Sequence, residues 1–167
     1  NLRTKGNKLN TIYPERFFIN PKTYRLYSRI DKEALGVMKH FGLSIQPILN
    51  NFISVPGKQG NFNGTLLKTI LHNSKIQDQL ISDLIQTIKT NQLQGINIEF
   101  EEMTETSDQY LNAFQKKLYL AFKQNNLMVS IDVMPDNSDF NISYLKDYTD
   151  YFIVMAYDQY NDSSQAG

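Results

Sequence analysis

The run Gly95-Ile96-Asn97-Ile98-Glu99-Phe100-Glu101-Glu102 narrows the possible folds more than any other stretch of the chain. Ile96, Ile98 and Phe100 alternate with Asn97, Glu99 and Glu101, the period of a strand with one apolar face and one carboxylate-bearing face. Polar groups on such a strand are costly to bury unless they find partners or shift their pKa. Glu99 and Glu101 lie about 7 Å apart along it, close enough to influence each other's titration where water is scarce. A carboxylic acid can be kept protonated near neutral pH in this way for general acid catalysis. The alternative is a solvated strand edge carrying ordinary surface glutamates.

Short apolar strands alternate with amphipathic helices along the whole sequence. Strands are expected at residues 9–13 with 17–19 close behind, then 43–49, 95–100, 128–133 and 151–156. Helical patterns fall at residues 32–41, 66–71, 76–90, 108–125 and 144–148. Ser74 with Gln77, and Thr106 with Gln109, have capping-box spacing. Leu80, Ile81, Leu84, Ile85 and Ile88 form one apolar helix face, as in a helix laid over a sheet. Repeated strand–helix–strand order implies parallel strands joined by right-handed crossovers. A doubly wound sheet and a (β/α)8 TIM barrel both satisfy that order. No glycine-rich phosphate turn occurs, and polar residues at strand ends favour the barrel, whose active face is built from those ends. Residues 50–63 and 158–167 read as loops; the first, starting at Asn50, follows a strand directly and could line a substrate cleft.

Composition excludes several functions. Lys plus Arg and Asp plus Glu both number 17, and no basic stripe interleaved with aromatics is present, so nucleic acid is not an expected partner. Cysteine is absent, which removes disulfides, thiol catalysis and Cys-based zinc sites. His40 and His72 lie far apart on helical segments and read as helix-end residues rather than metal ligands. No metal and no cofactor is expected. No apolar run is long enough to span a bilayer, and the polar start does not read as a signal peptide. The sequence reads as a mature product or an excised piece of a longer chain.

Two further strand ends carry chemistry. Asp132 sits among Val129, Ile131 and Val133, facing opposite to them. Met155-Ala156-Tyr157-Asp158 closes a strand with a phenol and a carboxylate. Singly, Asp158 reads as a turn residue and Tyr157 as a space-filling aromatic.

Together these segments resemble family 18 of the glycoside hydrolases, the chitinase-like group. Its fourth-strand pattern, D-G-x-D-x-D-x-E, aligns with Gln94-Gly95-Ile96-Asn97-Ile98-Glu99-Phe100-Glu101, and Met155-Ala156-Tyr157-Asp158 is similar to its sixth-strand M-x-Y-D. The wording is similar to bacterial branches in which such a domain accompanies polysaccharide deacetylase or glycosyltransferase modules. The resemblance implies hydrolysis of a glycan containing N-acetylglucosamine by a retaining, substrate-assisted mechanism. Glu101 would be the general acid and base, Glu99 would orient the acetamido group, and Tyr157 would donate to its carbonyl oxygen. Asp158, Asn97, Met155, Asp132 and Asn50 would line the sugar site. It further implies an extracytoplasmic or cell-surface setting.

The chain departs from the pattern at Glu99, one methylene longer than the family's aspartate, and at Asn97, which replaces another aspartate. It has no Trp to serve as a sugar platform. A full barrel takes about 250 residues. The whole of 1–167 is therefore expected to be one partial domain holding barrel strands two to six, with strands one, seven and eight supplied by the rest of the parent chain. Two other readings stay open: a glycan-binding relative without turnover, and an oxygen-ligand metal site at Glu99, Glu101 and Asp158.

Overall fold

The computed structural model describes residues 8–54, 59–103, 108–134 and 140–156. The elements run β1 (Thr11–Ile12), β2 (Glu15–Ile19), β3 (Leu26–Ser28), α1 (Lys32–His40), β4 (Ser44–Ile45), β5 (Ile48–Asn50), β6 (Phe52–Ile53), β7 (Asn61–Phe62), α2 (Gly64–Leu71) and α3 (Ser74–Thr90). They continue with β8 (Gly95–Glu99), α4 (Asp108–Lys123), β9 (Met128–Val133), α5 (Ile142–Leu145), a 3-10 turn (Lys146–Tyr148) and β10 (Tyr151–Val154).

The main sheet has six strands in the order β10-β9-β8-β5-β2-β3. From β2 to β10 every pairing is parallel, and β3 joins β2 antiparallel. Each parallel strand lies beside its predecessor, with no reversal of direction across the sheet. A doubly wound sheet needs such a reversal at its switch point, so this is the arc of a TIM-type barrel, partial over the described residues.

β1 and β4 extend β2 and β5 downward, and prolines interrupt the ladder between them. Gln46 N donates to Ile12 O at 3.0 Å and Ile48 N to Pro14 O at 3.0 Å, whereas Pro14 and Pro47 have no N–H to give. The expected 43–49 strand is thus broken at Pro47, while of the expected 9–13 strand only Thr11–Ile12 forms, set off from β2 by Pro14. Between Glu15 and Phe17 the register slips by one residue. This bulge re-aims the strand, so that Phe17 enters the apolar core while Glu15 turns to the opposite face.

The core lies between the outer face of the sheet and the helices. Ile96, Ile98, Val129 and Ile131 meet Leu80, Leu84, Ile88, Leu111, Phe114 and Leu118, all essentially inaccessible to solvent. Four of the five residues expected on the α3 face are buried, and Ile85 packs at its margin. Gly95 is required by close approach. A Cβ there would come within 2.3 Å of Met128 O and 2.8 Å of Met128 C, both backbone atoms of the neighbouring strand.

Three local readings change. α3 is capped by Asn73, whose side chain accepts from Lys75 N and Ile76 N at 3.1 and 3.2 Å, not by Ser74. Gln77 instead donates to Ile70 O and Leu71 O at 3.2 and 2.8 Å, because α2 ends just ahead and its last carbonyls need donors. Thr106 lies outside the described residues. The expected loop 50–63 contains a hairpin, with Phe52 opposite Phe62 and Ile53 opposite Asn61.

Candidate active site

The polar residues of the site come from β2, β5, β8 and β9 and from the turns that follow β5 and β8, on the face opposite the helices. In β8, Asn97 is buried at the centre. Its Nδ2 donates to Asp132 Oδ1 at 2.9 Å and its Oδ1 accepts from Ser130 Oγ at 2.7 Å, both partners on β9. Asp132 and Ser130 are themselves buried. Where the family pattern has an aspartate, this chain has an amide, and the carboxylate stands on the adjacent strand at Asp132. Burial raises the Asp132 carboxyl from the usual 3.8 to about 6, with the nearby charges of Glu99 and Glu101 adding to the rise and Asn97 opposing it.

One layer higher, Glu99 is half-buried at the end of β8. Burial pushes its carboxyl upward, the Asn50 hydrogen bond pulls it down, and Glu15 pushes it up again. Asn50 is fully buried on β5, and its Nδ2 donates to Glu15 Oε1 at 3.1 Å and to Glu99 Oε2 at 3.2 Å. The amide thus bridges two carboxylates that would otherwise repel.

Glu101 lies two residues beyond Glu99, past the end of the strand. Phe100 anchors the turn from below, buried against Phe114 with ring centroids 5.8 Å apart. Asn51 holds the backbone from the side. Its Oδ1 accepts from Glu101 N at 3.1 Å and its Nδ2 donates to Glu101 O at 2.8 Å. Immediately after, Glu102 adopts φ +56°, a left-handed conformation that costs a non-glycine residue roughly 1 kcal/mol or more. The chain therefore turns sharply at Glu101, which stays near enough to Asp132 to affect its charge.

Asn50 is thus bonded to Glu99 and Asn97 to Asp132, and the charges of Glu99 and Glu101 lie close to Asp132. Met155 is buried at the end of β10, its N–H donating to Val133 O at 3.0 Å. Tyr157 and Asp158 lie outside the described residues. Ser130, Glu15 and Asn51 escaped the sequence reading. Glu15 is aimed at the site only by the bulge, and Asn51 only by contact with a turn 50 residues away. The one local signal was two adjacent asparagines at a strand end. His40 and His72 end α1 and cap α2, respectively, away from this cluster. Among the described residues no three His, Asp or Glu are grouped to hold a metal ion, and no helix is long and apolar enough to cross a membrane.

A parallel sheet in which each strand lies beside its predecessor, with carboxylates gathered towards its C-terminal edge, is the architecture of a TIM-barrel domain. The sequence model of the glycosyl hydrolases family 18 matches residues 15–167, and the chain belongs to that family. YdhD of Bacillus subtilis (strain 168), assigned as a sporulation-specific glycosylase, is 23% identical over 116 residues, covering 65% of this chain and 27% of YdhD. A class V chitinase from Pseudomonas fluorescens Pf-5 superposes with a TM-score of 0.86 at 20% identity, over 99% of this chain and 52% of that one. The spore cortex-lytic enzyme SleL of Bacillus cereus gives 0.82 at 18% identity, over 94% and 36%. The chain spans between about a quarter and a half of the length of these relatives.

Proposed function

We propose that the protein hydrolyses glycosidic bonds in a glycan containing N-acetylglucosamine, by a retaining, substrate-assisted mechanism with Glu101 as general acid and base. The observation that carries this reading is the clamp on Glu101. Two hydrogen bonds from buried Asn51 fix its backbone at the end of β8, beside the Asp132 and Glu99 carboxylates. A proton donor must be held to a fraction of an ångström to act on one particular bond.

In this mechanism protonated Glu101 gives its proton to the glycosidic oxygen as the acetamido oxygen of the substrate attacks the anomeric carbon. The bond to the leaving sugar breaks and a cyclic oxazolinium ion forms. Glu101, now a carboxylate, takes a proton from the water that attacks the same carbon and reopens the ring. Configuration is retained because the carbon is inverted twice. Glu99 is the residue that stabilises the positive intermediate, weakened in that role by its hold on Asn50, and Asn97 and Asp132 support it from below. Tyr157 donates to the acetamido oxygen, while Asp158 and Met155 border the sugar. Residues 1–167 act as one domain, with the remaining barrel strands supplied by the rest of the parent chain. The match to a chitinase and to cortex-lytic and sporulation enzymes supports this substrate class.

A second reading, glycan binding without turnover, is favoured by one observation. The extra methylene of Glu99 brings its carboxylate to Asn50 and towards Glu15, where it is held to the side. The variant Glu101→Gln separates the two. Hydrolysis predicts loss of reducing-end release from N-acetylglucosamine oligomers, by a thousandfold or so on the scale of a lost acid–base group, with binding kept. Equal, undetectable release by wild type and variant, with binding intact, would establish the binding protein instead.

A further inference from the structure

Beside the carboxylates, the same edge of the sheet carries a cation set between aromatic rings. Phe18 stands opposite Asn50 in the β2–β5 register, and Asn50 stands opposite Glu99 in β5–β8. Cross-strand partners project to the same face, so Phe18 shares the face of the active-site carboxylates. Tyr27 is the partner of Phe18 across β2–β3, and Arg29, two residues further on, falls on that face again. The Arg29 guanidinium lies 5.2 Å from the Phe18 ring centroid and 5.4 Å from that of Tyr27. With Asn20, Phe52 and Ser54, these three line a cavity of about 130 Å³.

The hairpin bearing Arg29 is tied down. Arg25 grips Asp83 of α3 through Nε and Nη2 at 2.6 and 2.8 Å, and Leu26 N also donates to that carboxylate at 3.3 Å. By contrast, no carboxylate among the described residues pairs with Arg29, which is exposed. Rings alone would serve a neutral sugar. A guanidinium held close to two rings adds a fork of N–H donors, the geometry that grips a carboxylate with two parallel bonds.

Charge makes the same argument. Glu15, Glu99, Glu101 and Asp132 gather on the adjoining part of this face, so an acidic glycan is repelled there unless its own charge is set over a cation. Phe18 and Glu99 are separated by two strand spacings, about 10 Å, the span of a disaccharide. We propose that the Phe18–Tyr27–Arg29 cavity is a subsite for a sugar bearing a carboxylate, one to two units from the bond that is cleaved. The subsite rests on the hydrolase reading and specifies its substrate as an acidic glycan. The carboxylate could belong to a lactyl ether, as in N-acetylmuramic acid, or to a uronic acid; both offer Arg29 the same chemistry.

The test is calorimetric titration of the full-length protein carrying Glu101→Gln, which blocks turnover, with three tetrasaccharides. One is all N-acetylglucosamine, one alternates it with N-acetylmuramic acid, and one alternates it with glucuronic acid. At least one acidic ligand is expected to bind roughly tenfold more tightly than the neutral one, with an advantage that shrinks as salt is added. Adding Arg29→Gln should erase that advantage and leave neutral binding and the melting temperature unchanged, whereas Arg29→Lys should keep part of it. The acidic ligand that responds identifies the source of the carboxylate. Equal binding of acidic and neutral ligands, or an equal loss for both in Arg29→Gln, overturns the subsite while the hydrolase reading stands. Failure of all three to bind removes that reading and the subsite with it.

Discussion

Tyr13 and Tyr151, 138 residues apart, are joined by a 2.7 Å hydrogen bond between their hydroxyls. Tyr13 leads into β2 and Tyr151 opens β10, and β5, β8 and β9 lie between them in the sheet. In a flat sheet those four strand steps would hold the two side chains roughly 19 Å apart. Their contact, edge to face with ring centroids 6.5 Å apart, therefore measures how far the sheet has curled towards a barrel. Burial, together with the bond to Tyr151, pushes the Tyr13 phenol above its usual pKa.

Tyr151→Phe tests that curl. The Tyr151 hydroxyl also donates to buried Gln46 Oε1 at 2.5 Å, so the variant takes a donor from Gln46 and an acceptor from Tyr13 at the floor of the arc. A loss of about 1–3 kcal/mol is expected, read as a fall in melting temperature of several degrees. An unchanged melting curve would mean that the tyrosines do not meet in solution.

Asn51→Ala removes both bonds to the Glu101 backbone. Stability should drop by about 1–3 kcal/mol, since two backbone groups lose their partner. The more telling readout is kinetic. If Asn51 positions Glu101, kcat for N-acetylglucosamine oligomers should fall by tenfold or more with KM nearly constant. A change in KM alone would assign Asn51 to sugar binding.

Asp132 gives the fold a pH dependence of definite sign. Its carboxyl is raised in the folded protein from 3.8 to about 6, so the unfolded chain gives up this proton first as pH increases. Stability from this group is complete below about pH 4 and is lost as pH rises through about 6, by an amount on the order of 3 kcal/mol. Asp132→Asn keeps an acceptor for Asn97 and cannot ionise. Thermal melts of the variant should be flatter than wild type between pH 4 and 7 and higher at pH 8; parallel curves would place the titration elsewhere.

Glu99→Asp shortens the side chain that reaches Asn50 at 3.2 Å. Freed from that bond and drawn back from Glu15, the carboxylate should face the reacting sugar, and turnover should increase, by up to about a hundredfold if misplacement near 1 Å is what limits the wild type. Turnover that stays the same would show that residue 99 does not assist the acetamido group.

Much of the site was legible because it is written in strand period. Asn97 and Glu99 share a face by alternation alone, and Asp132 opposes its apolar neighbours for the same reason. Local competition was harder to read. Ser74 and Gln77 have the spacing of a capping box, yet Asn73 takes the cap and Gln77 is drawn to the end of the preceding helix. Which donor meets which orphan group depends on how close two helices end to end happen to lie. The hairpin of β6 and β7 was also missed, its strands being too short to establish a period.

By itself the sequence determined the alternation of strands and helices, the apolar face of each, and the strand that carries Asn97, Glu99 and Glu101. All of these depend on neighbours a few residues apart, where backbone geometry alone sets direction. Only the tertiary structure decided that Asn50 bridges Glu99 to Glu15, that Asn51 grips Glu101, that Asp132 stands in for the charge missing at Asn97, and that Arg29 settles between Phe18 and Tyr27. Those pairings join different strands, and their geometry is set by register, by the bulge after Glu15 and by the curl of the sheet, none of which any one segment contains.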